Sequence, residues 1–126
     1  MKPLALLCLP LLLAACVTGT VAPPPPEGPA WIGQTVHVGG PTVRPLAVIE
    51  DSRCPSNVTC VWAGRLVIRA EIGTGSGKQQ MALTLGTPVS VADGALTLRD
   101  ATPHPLQGKP IRPQDYRFTF TFDGGL

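Results

Sequence analysis

The chain has 126 residues, with ten Lys or Arg against eight Asp or Glu and a formal charge of +2. That near balance, with no basic run, gives no footing for nucleic-acid binding. Fifteen prolines and fourteen glycines work against long helices, since proline removes a helical donor and glycine is conformationally loose.

The first twenty residues read MKPLALLCLPLLLAACVTGT. Lys2 is the positive start, and Pro3 to Ala15 is an almost unbroken apolar run. A membrane-spanning helix needs roughly 20 apolar residues; this run is shorter and Pro10 interrupts it. Residues 1–15 therefore read as a secretory signal. At its end, Leu13-Ala14-Ala15-Cys16 resembles the lipobox of bacterial lipoprotein precursors. The resemblance implies that Cys16 receives a diacylglyceryl group, becomes the first mature residue and is acylated again, with chains such as palmitate. Each buried methylene contributes about 0.8 kcal/mol, so several chains make a stable membrane anchor. Val17, where an Asp favours inner-membrane retention in such precursors, implies the outer membrane, facing the periplasm. Cys8 is removed with the signal.

Residues 16–30 then form a tether. Pro23 to Pro26 and Pro29 favour an extended polyproline form of about 3.1 Å per residue. A proline-rich ligand for a partner domain is the alternative reading of this stretch.

Residues 31–126 make one small domain, which is marginal on its core alone and gains from covalent reinforcement. Its pattern has the period of two that belongs to strands. In chain order the candidates are 34–38 (QTVHV), 46–50 (LAVIE), 62–72, 80–85 (QMALTL), 88–91 (PVSV), 95–99 (ALTLR) and 116–122 (YRFTFTF). In the third, Trp62, Leu66, Ile68, Ala70 and Ile72 share one face. In the last, Tyr116, Phe118, Phe120 and Phe122 do. GTGSG at 73–77 reads as a hairpin loop. Six or seven short antiparallel strands predict an all-β domain, a β-sandwich with a small β-barrel as the alternative.

The segment EDSRCPSNVTCVWAGR, Glu50 to Arg65, concentrates the chemistry. Cys54 and Cys60 are the two cysteines left once Cys8 is removed and Cys16 acylated. In an oxidising compartment they are expected to form a disulfide, contributing roughly 2 kcal/mol through loop entropy. A redox role needs C-x-x-C at a helix start, and the spacing is wrong. A zinc or copper site using both thiolates needs further ligands. Only His37 and His104 are on offer, in separate segments. Asp51 and Arg53 are placed to pair across the turn, Trp62 to pack over the bridge, and the three together to form a recognition surface.

The segment as a whole is similar to one in small bacterial secreted proteins and lipoproteins of unknown activity, where D-S-R-C-P is followed by C-x-W-x-G and a strand. The matching residues are Asp51, Ser52, Arg53, Cys54, Pro55, Cys60, Trp62 and Gly64. The resemblance implies no activity, catalytic residue or cofactor. IGTGSGKQ, at 72–79, fails as a phosphate loop at Ile72 and Gln79. No nucleophile elbow is present. The loop at 102–115 is long and punctuated by prolines, and such loops can bind ligands.

The expectation is a lipid-anchored cell-envelope lipoprotein with a non-catalytic binding or structural role, touching the membrane through Cys16 and an envelope protein partner. The alternatives are a periplasmic metal binder using Cys54, Cys60 and a histidine, and an envelope enzyme or inhibitor with a loop-built site. Alanine at both Cys54 and Cys60 is expected to lower the melting temperature by several degrees. A thermal scan in which the double variant melts with the parent would rule out the covalent staple.

Overall fold

A computed structural model of the chain describes Gly19 and residues 27–124. The signal segment, Cys16 and Pro23 to Pro26 lie outside the described residues. Among the described residues no helix is long and apolar enough to cross a membrane.

Seven strands are described: β1 (Val36–His37), β2 (Thr42–Asp51), β3 (Leu66–Thr74), β4 (Gly77–Thr84), β5 (Val89–Val91), β6 (Gly94–Thr102) and β7 (Arg117–Gly124). They form two antiparallel sheets, ordered β1-β2-β3-β4 and β5-β6-β7. The domain is all-β, and its two sheets remain separate rather than closing into a barrel. A short 3-10 turn, Pro113–Asp115, leads into β7.

The alternation that predicts the strands also builds the core. Leu66, Ile68, Ala70 and Ile72 of β3 are fully buried. They belong to one apolar cluster with Leu96 and Leu98 of β6 and Tyr116, Phe118 and Phe120 at β7. Tyr116 and Phe118, two residues apart and so on one face, stack with ring centroids 5.6 Å apart. Burying these faces removes apolar surface from water at about 25 cal/mol per Å².

Backbone hydrogen bonds tie the sheets at both lateral margins. On one side, Leu85 N–H donates to Leu66 of β3 and the next residue, Gly86, donates to Leu98 of β6. On the other, Ala30 pairs with Phe118 of β7 and Gly33 N–H donates to Pro45 of β2. The sequence places Ala30 at the end of the tether, yet it is fully buried and belongs to the domain.

Strand boundaries differ from the sequence reading, most of all at the starts of β2 and β3. β2 starts at Thr42 rather than 46 and runs through Pro45. Proline is tolerated there because β1 covers only Thr42 and Val43, and a register shift follows Pro45. β3 starts at Leu66 rather than Trp62. The glycine-rich stretch is a tight hairpin, with Thr74 opposite Gly77.

Phe118 is the largest fully buried side chain. Phe118→Ala is expected to cost about 3–5 kcal/mol. Equilibrium denaturation measures this, and a loss below about 1 kcal/mol would contradict the packing described.

Candidate functional site

β2 ends at Asp51, at the same end of the sandwich from which β7 starts. Arg53 turns back and grips Asp51 in a two-pronged pair, Nε to Oδ1 at 2.8 Å and Nη2 to Oδ2 at 2.9 Å. Both side chains are nearly enclosed, at 10% exposure for Arg53 and 12% for Asp51. Tyr116 Oη donates to Asp51 Oδ2 at 2.8 Å. Arg53 also donates to the carbonyls of Ala101 (2.9 Å) and Pro103 (3.1 Å). One guanidinium therefore joins the end of β2 to the end of β6, and one carboxylate joins β2 to the start of β7. A planar guanidinium suits this task, since its fork matches a carboxylate and leaves donors for carbonyls.

The network shifts two acid groups. Burial pushes the Asp51 carboxyl up. The hydrogen bonds from Arg53 and Tyr116 and the guanidinium charge outweigh it, so its pKa falls below the ordinary 3.8. Burial, then the hydrogen bond to Asp51 and its negative charge, push Tyr116 up to about 12.

The loop from Ser52 to Arg65 is closed at its neck. Ser52 N–H donates to the Arg65 carbonyl at 2.8 Å, and Arg65 N–H donates back to Ser52 Oγ at 3.0 Å. Glu50 and Arg65 add an exposed ion pair. A Cβ at Gly64 would overlap the Ser52 carbonyl, so the neck closes only around glycine. Inside the loop Cys54 and Cys60 form a disulfide, with Cα atoms 5.9 Å apart. A bridged sulfur is not a thiolate, so the pair has no metal-ligand form while it stays oxidised.

The two loops that the sequence leaves separate are joined into one surface. Ser56 N–H donates to the Pro105 carbonyl at 2.9 Å, and Gln107 N–H donates to Asn57 Oδ1 at 2.9 Å. The end of the sandwich is therefore built by 52–65 and 103–112 together. A cavity of about 190 Å³ opens in the second loop, lined by His104, Leu106, Lys109, Pro110, Ile111 and others.

The expected recognition trio separates here. Asp51 and Arg53 point inward and support the loop. Trp62 lies outside β3 and off the core face where the alternation would put it, because the chain turns through the glycine neck before pairing begins. It is 64% exposed, and its neighbour Val61 is 94% exposed. Val61 and the loop-to-loop hydrogen bonds carry no periodic signal in the sequence. His37 sits on β1 and His104 in the second loop. Among the described residues no three His, Cys, Asp or Glu side chains converge as a metal site.

No family model matches the chain, and neither the curated proteins nor the solved structures provide a match.

Asp51→Asn is expected to cost about 3 kcal/mol, because the buried guanidinium loses its partner charge. Stability from Asp51 is complete above pH 3.8 and is lost as pH falls through its lower folded value. Stability from Tyr116 is complete below pH 10.0 and is lost as pH rises towards about 12. Tyr116 is the sole tyrosine, so tyrosinate absorbance and a denaturation series follow it directly. Tyr116→Phe should flatten the alkaline loss, and an unchanged alkaline limb would disprove the assignment.

Proposed function

We propose that the protein is a lipid-anchored envelope lipoprotein, held to the outer membrane through Cys16, that binds an envelope protein partner with its disulfide loop end. The observation that carries the reading is the use of the Asp51–Gly64 segment. Asp51, Ser52, Arg53, Cys54, Cys60 and Gly64 are all spent on holding the loop, while Val61 and Trp62, on its return arm just before the neck, stand exposed as the recognition tip. Aromatic anchors on a braced support are what protein interfaces use most, and a loop braced on both sides of Val61 and Trp62 has less backbone entropy to lose on binding.

The placement of the tether supports the same reading. Glu27 and Gly28 lie beside Thr121 and Asp123, towards the far end of β7 from Tyr116. The tip is therefore separated by roughly 20 Å of strand from the point where the chain enters the domain. The reading is a binding role rather than catalysis, since the enclosed titratable groups of this end, Asp51, Arg53 and Tyr116, are saturated by one another.

A photo-crosslinking residue at position 62, in the anchored protein expressed in a bacterial envelope, is expected to give a discrete adduct with one envelope protein. The same residue at the hairpin turn, Ser76, should give none. Trp62→Ala in a protein crosslinked from position 61 should weaken the adduct at least about tenfold while leaving the melting temperature unchanged. Equal labelling from 62 and 76, or no adduct from either, would refute a recognition tip. Cys16→Ser should leave the precursor unacylated; a lipid mass still present on that variant would refute the anchor.

A further inference from the structure

At the margin opposite the β4–β5 crossover, β1 and β7 are the edge strands of their sheets. β7 pairs with β6 on one side. On its other side Phe118 exchanges two hydrogen bonds with Ala30, both 2.8 Å, and the ladder stops there. Peptide groups two residues apart in a strand point the same way. The N–H and C=O groups of Phe120 and Phe122 therefore face the same side as those of Phe118, where a Cβ at Gly39 would stand 4.0 Å from the Phe122 carbonyl oxygen. Among the described residues none of these four groups has a backbone partner on that side.

The incoming chain does not complete the ladder. Antiparallel register would set Gly28 opposite Phe120, but Gly28 adopts φ +107° and makes no bond to it. The chain peels away and leaves a groove of about 470 Å³ between Glu27–Gly28, the β7 edge at Thr121 to Asp123, and His37 to Gly39 of the other sheet. Natural edges are blunted by lysine, proline or a bulge. β7 has none of these from Phe118 to Phe122, and its one register shift falls on the partner strand, between Leu98 and Asp100. The rim is acidic. Glu27 and Asp123 are both exposed and form no ion pair among the described residues.

We propose that this groove takes an extended cationic segment of a protein partner, which adds to β7 as an antiparallel strand opposite Phe120 and Phe122. Backbone bonds to the unpaired edge supply the affinity, as in other strand-addition sites. Side chains of the added strand alternate. Those on the outer face lie beside Thr119, Thr121 and Asp123, where Lys or Arg meets Asp123 and the nearby Glu27. Those on the inner face meet Val38 and Phe122 and are small or apolar. The site is distinct from the loop tip and stands independently of it.

The test is amide hydrogen exchange on the full chain in detergent, with an alternating Val–Lys peptide as probe. Two controls are an alternating Val–Glu peptide and the Val–Lys peptide N-methylated on every second amide. The Val–Lys probe should slow exchange at Phe120 and Phe122 and leave Val61 and Trp62 unchanged, while both controls lose the effect. Glu27→Gln and Asp123→Asn, both at exposed positions, should weaken probe binding about two- to fivefold each. Equal protection by all three peptides, or by none, overturns the proposal. Protection without peptide that disappears on dilution assigns the edge to a second copy of the chain instead. Protection without peptide at every dilution assigns it to the chain's own N-terminal segment.

Discussion

The pair between Asp51 and Arg53 is the constraint on which the loop end of this domain depends. Apolar burial holds two sheets face to face, but it is non-directional and says little about how their ends are arranged. The guanidinium supplies the direction, because its donors lie in one plane and four of them have fixed acceptors. Two go to Asp51, and two more reach the carbonyls of Ala101 and Pro103. Tyr116 completes the carboxylate from the opposite sheet. In a site this enclosed an unpaired member would be costly, so the network holds as a unit or not at all.

The loop above the network inherits that rigidity. Its neck is fixed by Ser52, Arg65 and Gly64, its body by the disulfide, and its flank by hydrogen bonds to the 103–112 loop. Three kinds of restraint converge on about a dozen residues, and Val61 and Trp62 stand exposed between them. That is a costly arrangement for stability alone, since an exposed Trp and Val gain nothing from water. It is a natural one for recognition, where order established in advance removes an entropic cost from binding.

The opposite margin follows a different logic. There the chain enters beside β7, makes one pair of hydrogen bonds and departs, leaving strand edge and carboxylates exposed together. The domain thus has a stiff end built from side chains and an open edge built from backbone. The first suits recognition by shape and the second recognition by strand addition.

The sequence by itself determined the approximate places of the strands, the all-β class and the cysteine pairing. Those rest on local facts: alternation along seven short segments, glycine at the 73–77 hairpin, and two cysteines close enough to close a loop. The exposure of Trp62 escaped that reasoning because its spacing matches the alternation of Leu66 to Ile72, while the neck at Gly64 breaks the strand between them. The reach of β2 through Pro45 escaped it because proline argues against a strand unless the neighbouring strand is short, which sequence does not show. Only the tertiary structure decided that Asp51 and Arg53 are supports rather than contacts. Their partners, at Ala101, Pro103 and Tyr116, lie about fifty to sixty-five residues away in sequence. Side chains that read as exposed turn residues became buried because distant carbonyls and a hydroxyl arrived to satisfy them. Periodicity records which face of a strand turns inward, but it carries no record of which distant strand end will meet it.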